Sequence, residues 1–404
     1  MTPDPVATSA HFIEQENRFG AHNYHPLDVV CTRGEGVYLT DVDGKRYMDF
    51  LAAYSAVNQG HNHPKIAEAM IRQIRSLALT SRAFRNDQFP PLLEKLCRLT
   101  GFDKALLMNS GAEAVETALK AIRKWAYDVK GVEYPKAEII VAAGNFHGRT
   151  TTIVGFSTDP DSTSRFGPFT PGFRIVPYGD LEAVAKAITP HTAAIFMEPI
   201  QGEGGVLIPP AGFLKGLRQL ADANRCLLVL DEIQSGFGRT GKMFAFEHEG
   251  IRPDGITIGK ALSGGFYPVS AFLSTSEVMD VFTPGIHGST YGGNPLACAV
   301  ASAALDVLVD ERMVEHSAEL GVHFKARLEG LASPKVKAVR CRGLWAGIDL
   351  HDAAGPARPY CYQLKDRGLL CKDTHQQTIR LAPPLVITRD QLDWAVDEIE
   401  AVLA

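Results

Sequence analysis

The chain has 404 residues, 45% of them hydrophobic and 22% charged, with a formal net charge of −5. That length and balance describe a soluble globular chain of two or three domains, and the mild acidity leaves no electrostatic case for nucleic acid as a partner. Seven cysteines without a Cys-x-x-Cys pair point to a reducing compartment, with neither structural disulfides nor zinc.

Met1 to Gly20 has no basic start and no apolar core, so it reads as neither a signal nor a transit peptide. Gly36–Asp41 and Gly44–Asp49 read as two strands around an Asp43-Gly44 turn. His61-Asn62-His63 could be a metal fragment, but no further ligand types cluster nearby, and it reads as a loop with no metal. From about residue 60 to 290 strands alternate with helices, which argues for an α/β fold with a mainly parallel sheet between helices. The expected strands are Ala105–Met108, Glu138–Ala142, Arg174–Pro177, Ala193–Met197, Leu227–Leu230, Gly255–Ile258 and Val269–Leu273. A helix from Leu296 leads into a C-terminal α/β piece, with strands near Val336–Arg340, Leu344–Leu350, Leu370–Lys372 and Thr378–Leu381. Leu296 to Val309 is the longest apolar stretch; Asp306 interrupts it, and it is too short to span a bilayer, so no membrane is involved and a cytoplasmic location is the default.

Several strand ends carry candidate chemistry. After the first strand of the alternating region, Asn109-Ser110-Gly111-Ala112-Glu113 opens a helix with Val115, Leu119, Ile122 and Ala126 on one face. A small-residue turn there offers free backbone N–H groups and the positive end of the helix dipole to a phosphate, and Gly111 permits close approach. Ser110 and Glu113 equally fit a capping box, which needs no ligand. The run Cys226–Leu230 ends in Asp231-Glu232-Ile233-Gln234, and Ile256-Thr257-Ile258-Gly259 ends in Lys260. Taken alone, each is an ordinary polar residue after a strand. Together, an acid and a lysine at strand carboxyl ends can converge on one crevice of an open α/β sheet. They suggest an imine-forming lysine and a carboxylate holding the ring nitrogen of pyridoxal phosphate. Gly236-Phe237-Gly238-Arg239-Thr240-Gly241 matches the dinucleotide fingerprint, but residues intervene after the strand and no convincing helix follows, so it reads as a loop.

The ordered stretches Asn109–Ala114, Gly144–Thr150, Glu198–Gly205, Asp231–Gly236, Gly259–Gly265 and His287–Pro295 resemble the class III aminotransferases, of the pyridoxal-phosphate fold type I superfamily. His22–Leu27, Ala53–His61, Thr80–Phe84 and Ile379–Leu385 resemble the branch of that family acting on ornithine, although His147 stands where some of its members carry tryptophan. The resemblance implies that Lys260 bonds the cofactor and then shuttles a proton, while Asp231 pairs with the ring nitrogen. It implies that Ser110, Gly111 and Ala112 hold the phosphate, with Ser289 and Thr290 reaching it from the other subunit. Phe146 would stack on the ring, with His147 beside it and Gln234 at the ring hydroxyl.

For substrates, the resemblance places Arg149 on the distal carboxylate of ornithine, Tyr24 on its α-amino or carboxylate end, and Glu198 within the substrate site. Arg380 would pair with the near carboxylate of 2-oxoglutarate, masked by Glu203 until the oxo acid arrives, with Tyr54 helping to exclude reaction at the α-amine. Bare arginines are often surface groups and a loop glutamate is usually solvated, so these roles rest on the resemblance. The implied reaction is ping-pong δ-transamination of L-ornithine with 2-oxoglutarate, giving glutamate semialdehyde, which cyclises to pyrroline-5-carboxylate, and glutamate. Acetylornithine or 4-aminobutyrate transamination is the alternative; a semialdehyde aminomutase would need no oxo acid. The implied organisation is a small domain from residues 1–55 and 296–404, a large cofactor-binding domain from 56–295, and a homodimer with active sites at the interface.

Overall fold

The computed structural model describes residues 8–404; the first seven residues of the Met1 to Gly20 reading lie outside the described residues. In chain order the strands are β1 (Cys31–Glu35), β2 (Tyr38–Asp41), β3 (Arg46–Asp49), β4 (Lys104–Met108), β5 (Glu138–Ala142), β6 (Phe173–Val176), β7 (Thr192–Met197) and β8 (Leu227–Asp231). They continue with β9 (Gly255–Ile258), β10 (Ser270–Ser274), β11 (Val336–Cys341), β12 (Ala346–Leu350), β13 (Leu369–Leu370), β14 (Lys372–Thr374) and β15 (Thr378–Leu381).

The central sheet has the order β4-β10-β9-β8-β7-β5-β6. Pairings from β9 through β8, β7, β5 and β6 are parallel, whereas β10 runs antiparallel to both of its neighbours. The inner strands β7, β8, β9 and β10 are buried at every position, the pattern of a sheet covered on both faces. Alternation sends Leu228 and Leu230 into one apolar core and Leu227 and Val229 into the other. The helix Gly111–Trp125 covers the second face with Val115, Leu119 and Ile122, as its periodicity requires. The helix Pro295–Asp310, capped by Asn294, packs against the helix Pro64–Ser76 and the turn that follows Lys260.

Two four-stranded sheets flank this body, ordered β1-β2-β3-β13 and β11-β12-β15-β14. The first joins the two ends of the chain, because β13 pairs in parallel with β3. The single strand expected over Leu370–Lys372 is two strands in different sheets, with Cys371 at the crossing; short apolar runs do not record which partner they pair with. Strand β1, exposed and mostly polar, carries no alternation that would have marked it. Gly236–Gly241 is an irregular turn with Phe237, Gly238 and Gly241 in the left-handed region, as expected for a loop. His61 pairs with Asp49 at 2.8 Å and His63 with Glu311 at 3.2 Å. Among the described residues no helix is long and apolar enough to cross a membrane.

Candidate active site

Five strand ends converge as the open-sheet rule requires. β4 delivers Ser110, Gly111 and Ala112; β5 delivers Phe146 and His147; β7 delivers Glu198; β8 delivers Asp231 and Gln234; β9 delivers Lys260. Apart from Ser110, all of these line one cavity of about 220 Å³, together with Gly148, Ile200 and Ile233. Ser110 lines an adjoining cavity of about 320 Å³ that shares Gly111 and Lys260.

The capping box at the Ser110 turn does not use up the amides that a phosphate would need. The capping box is formed: Glu113 N–H donates to Ser110 Oγ at 3.3 Å, and Ser110 N–H donates to Glu113 Oε2 at 2.6 Å. Burial opposes ionisation of Glu113, but hydrogen bonds from Ser110 and Asn109 outweigh it and hold the carboxyl below its ordinary range. The cap leaves the Gly111 and Ala112 amides at the helix start without a protein acceptor among the described residues, and these are the groups that favour an anion. Gly148 backs this turn, where a Cβ would come within 2.9 Å of Ala112 Cβ.

Asp231 is 5% exposed. Its Oδ1 accepts from Ile233 N–H at 3.1 Å, and its Oδ2 lies 2.6 Å from His147 Nδ1. The His147 ring stacks at a tilt on Phe196, 4.6 Å between centroids, and its buried Nε2 has no partner among the described residues. His147 therefore orients the acid, a contact the sequence spacing did not reveal. Lys260 sits at φ +46, in the left-handed region. Burial pushes its amine below the ordinary ammonium range, against the opposing pull of Asp231 and Glu203. Glu198 accepts from Phe146 N–H at 3.0 Å and from Gly202 N–H at 3.4 Å, so it ties the Phe146 turn to the Glu203 loop. Burial pushes its carboxyl up to about 7.

Glu232, next to Asp231, faces away from the cavity and accepts from Ser235 Oγ at 2.5 Å and Phe246 N–H at 2.9 Å. Burial pushes it up to about 7 from an ordinary 4.5, with those hydrogen bonds opposing. The folded protein thus keeps a proton that the unfolded chain has already released, so stability falls as pH rises from about 4.5 to about 7. Glu232→Gln retains the shape and removes the titration. Denaturant unfolding at pH 5 and pH 8 is expected to show a pH-dependent loss smaller in the variant by roughly 3 kcal/mol.

Above the cofactor cavity, Arg380 on β15 is fully buried. Its Nη1 donates to Glu203 Oε1 at 2.6 Å, while Nε and Nη2 have no partner among the described residues. Burial opposes ionisation of Glu203, but Arg380 outweighs it and holds the carboxyl below its ordinary range. The Arg380 guanidinium lies 5.3 Å from the centre of the Tyr54 ring. Tyr54 is presented by an unusual backbone: Ala52, Ala53, Tyr54 and Ser55 all have positive φ, between 46 and 71. A left-handed turn of ordinary residues costs roughly 1–2 kcal/mol per residue. Asp49 Oδ1 holds it by accepting from Leu51 N–H at 2.8 Å and Ala52 N–H at 3.0 Å, and Gln234 Nε2 donates to the Tyr54 carbonyl at 3.2 Å. Nothing in the sequence of this segment announces that conformation.

Other expected residues stand further out. Arg149 is exposed, its guanidinium 5.7 Å from the Phe146 ring centre. Tyr24 is 71% exposed and does not line the cavity; its segment is anchored where Arg358 donates to the His25 carbonyl at 2.7 Å. Ser289 accepts from Asn109 Nδ2 at 3.0 Å within the same chain, and the neighbouring Thr290 is exposed.

The donor set fits pyridoxal phosphate: unpaired amides for a phosphate, an aromatic and a carboxamide for the ring, a fixed carboxylate and a buried amine. Fold and site together define a pyridoxal-phosphate-dependent aminotransferase of fold type I. A family model described as aminotransferase class-III matches residues 19–403. Ornithine aminotransferase of Bordetella pertussis is 59% identical over 402 residues, covering 100% of this chain and 97% of that one. The enzyme of that name from Bacillus subtilis is 52% identical over 398 residues, covering 98% of each. Among solved structures, ornithine aminotransferase from Toxoplasma gondii superposes with a TM-score of 0.97 at 42% identity, over 98% of this chain and 94% of that one. Acetylornithine aminotransferase from Elizabethkingia anophelis gives 0.89 at 48% identity over 98% of each chain. The chain belongs to the class-III aminotransferase family.

Proposed function

We propose that this chain is an ornithine aminotransferase, moving the δ-amino group of L-ornithine to 2-oxoglutarate in two half-reactions. The observation that carries the choice of substrate is Arg380, buried and masked by Glu203 beside Tyr54. An unmasked arginine there would seat the α-carboxylate of any common amino acid and present its α-amine for reaction. With the mask in place, ornithine enters distal amine first, and its own carboxylate lies outward toward Arg149, with Tyr24 at the far end.

When bound, pyridoxal phosphate supplies an aldehyde that accepts an amino group and a protonated ring that draws off electron density. Gly111 and Ala112 amides would hold its phosphate, with Thr290 and Ser289 completing that site from a second subunit. Phe146 would cover one ring face, Gln234 the ring hydroxyl and Asp231 the ring nitrogen, with His147 orienting Asp231. Lys260 Nζ, whose charged form burial disfavours, acts as the base that takes a proton from Cδ of ornithine. In the second half-reaction Glu203 releases Arg380, whose two free donors and Nη1 pair with the α-carboxylate of 2-oxoglutarate. Lys260 then delivers a proton to the α-carbon, giving glutamate. Glutamate semialdehyde from the first half cyclises to pyrroline-5-carboxylate, so the proposed reaction belongs to ornithine and proline metabolism, with the cytoplasm as the proposed location.

The organisation we propose is a small domain of residues 1–55 and 296–404 around a large domain of 56–295; pairing of β3 with β13 supports it. We further propose a homodimer with its active sites at the interface, as the family resemblance implies; exposed Ile71, Ile74, Leu77, Leu79 and Phe84 would supply apolar surface for it.

The test is spectroscopic. The visible band of the holoenzyme should fade with L-ornithine alone and return with 2-oxoglutarate. Fading with acetylornithine or 4-aminobutyrate but not ornithine would transfer the reading to those substrates. Return of the band without any oxo acid would indicate a mutase.

A further inference from the structure

Glu203 sits on a loop that has little reason to hold still. Gln201-Gly202-Glu203-Gly204-Gly205-Val206 contains three glycines, closed at its base by the bridge between Gln201 and Leu207. Gly205 has φ +96 and Val206 φ +57. A carboxylate on such a loop masks Arg380 only if something fixes the backbone beneath it.

The sheet β11-β12-β15 does so through three residues directly opposite one another: Arg340 pairs with Gly347, and Gly347 with Arg380. Gly347 is the gap between the two arginines. A Cβ there would stand 2.5 Å from the Gly205 carbonyl oxygen, so only glycine lets the loop rest on the sheet. Into that gap the Gly205 carbonyl points, accepting from Arg340 Nε at 3.0 Å and Nη2 at 2.8 Å. Arg340 is itself held by a bidentate pair with Asp349, at 2.5 and 2.6 Å. Asp349 Oδ1 also accepts from Thr378 Oγ1 at 2.7 Å. Thr378 and Arg380 lie two apart on β15, hence on one face. Glu203 and Gly205 are likewise two apart on the loop. The loop is therefore fastened to β15 at two points, one through Glu203 and Arg380, the other through Gly205, Arg340, Asp349 and Thr378.

We propose that Arg340 is a positioning residue for substrate choice: by clamping the Gly205 carbonyl it keeps Glu203 on Arg380, and so keeps the α-carboxylate site closed to common amino acids. The proposal rests on the masking role assigned to Glu203 above. Arg340 does not line the cofactor cavity. A cross-strand pair with Asp349 would by itself contribute only stability, so the readout must separate selectivity from folding.

The experiment uses the holoenzyme with Arg340→Met, which keeps the bulk and loses the donors, and Glu203→Ala as reference. Single-turnover fading of the visible band is followed with L-ornithine and with L-glutamate. Glutarate, an unreactive dicarboxylate, is titrated by calorimetry. For Arg340→Met the rate ratio of ornithine to glutamate should fall about tenfold, and glutarate should bind several-fold tighter, because a charge-assisted hydrogen bond of this kind has that order of effect. Equal slowing with both amino acids and unchanged glutarate binding, while Glu203→Ala shifts both, would overturn the clamp and leave the mask standing. If Glu203→Ala itself shifts neither, the mask falls and the clamp falls with it. Should Arg340→Met fail to fold, Gly347→Ala displaces the same carbonyl with one methyl group and should move the ratio in the same direction; an unchanged ratio there overturns the proposal as well.

Discussion

Lys260→Ala should turn over at least about 10⁴-fold more slowly than the parent while keeping its fold, the upper range for loss of a positioned proton-transfer group. Among the described residues the amine is the only basic side chain lining the cavity apart from the imidazole of His147, and burial lowers its pKa, which favours the unprotonated form that a base requires. Alanine adds no strain: residue 260 is held at φ +46 by the turn that follows β9, a conformation equally unfavourable for lysine and alanine. Purified variant should therefore unfold at nearly the parent temperature. Borohydride treatment followed by mass spectrometry should fix the cofactor to residue 260 in the parent and leave the variant unlabelled. A small primary amine added to the buffer should restore part of the lost rate. Retention of parental turnover would remove Lys260 from the chemistry.

The second large effect is expected at Asp231. Asp231→Asn should lower kcat by about 10³-fold, because an ion pair ~4 Å apart at an effective dielectric of ~20 contributes about 4 kcal/mol. Asparagine retains an oxygen for the Ile233 amide or for His147 but carries no charge to share between them. Cofactor affinity should change much less, since the unpaired amides of Gly111 and Ala112 and the Phe146 turn are untouched. The informative comparison is kcat against the dissociation constant of the cofactor. A parallel loss in both would mean that Asp231 anchors the cofactor rather than activating it.

Strand-end placement of Asp231, Lys260 and the Ser110 turn was legible because apolar runs followed by polar residues carry that information directly, and β4, β8 and β9 end within a residue of the expected strands. The capping box at Ser110 was legible for the same reason: it is a local pattern at fixed spacing. Other features were not. The antiparallel direction of β10 leaves no mark in its composition, because a strand buried on both faces reads the same whichever way it runs. The left-handed turn at Ala52–Ser55 contains no glycine or asparagine, so local preference argues against it. It stands because Asp49, Gln234 and the packing of Tyr54 against Arg380 overrule that preference.

By itself, then, the sequence determined the α/β class, the inventory of groups able to hold a phosphorylated pyridine aldehyde, and the strand ends that carry them. Those are properties of short segments, where periodicity and capping act over a few residues. Only the tertiary structure decided that Glu203 reaches Arg380, that His147 turns onto Asp231, and that Arg340, Gly347 and Arg380 fall into one row. Each of those contacts joins residues far apart in the chain, and its existence depends on sheet register and on burial driving unpaired charges to find partners.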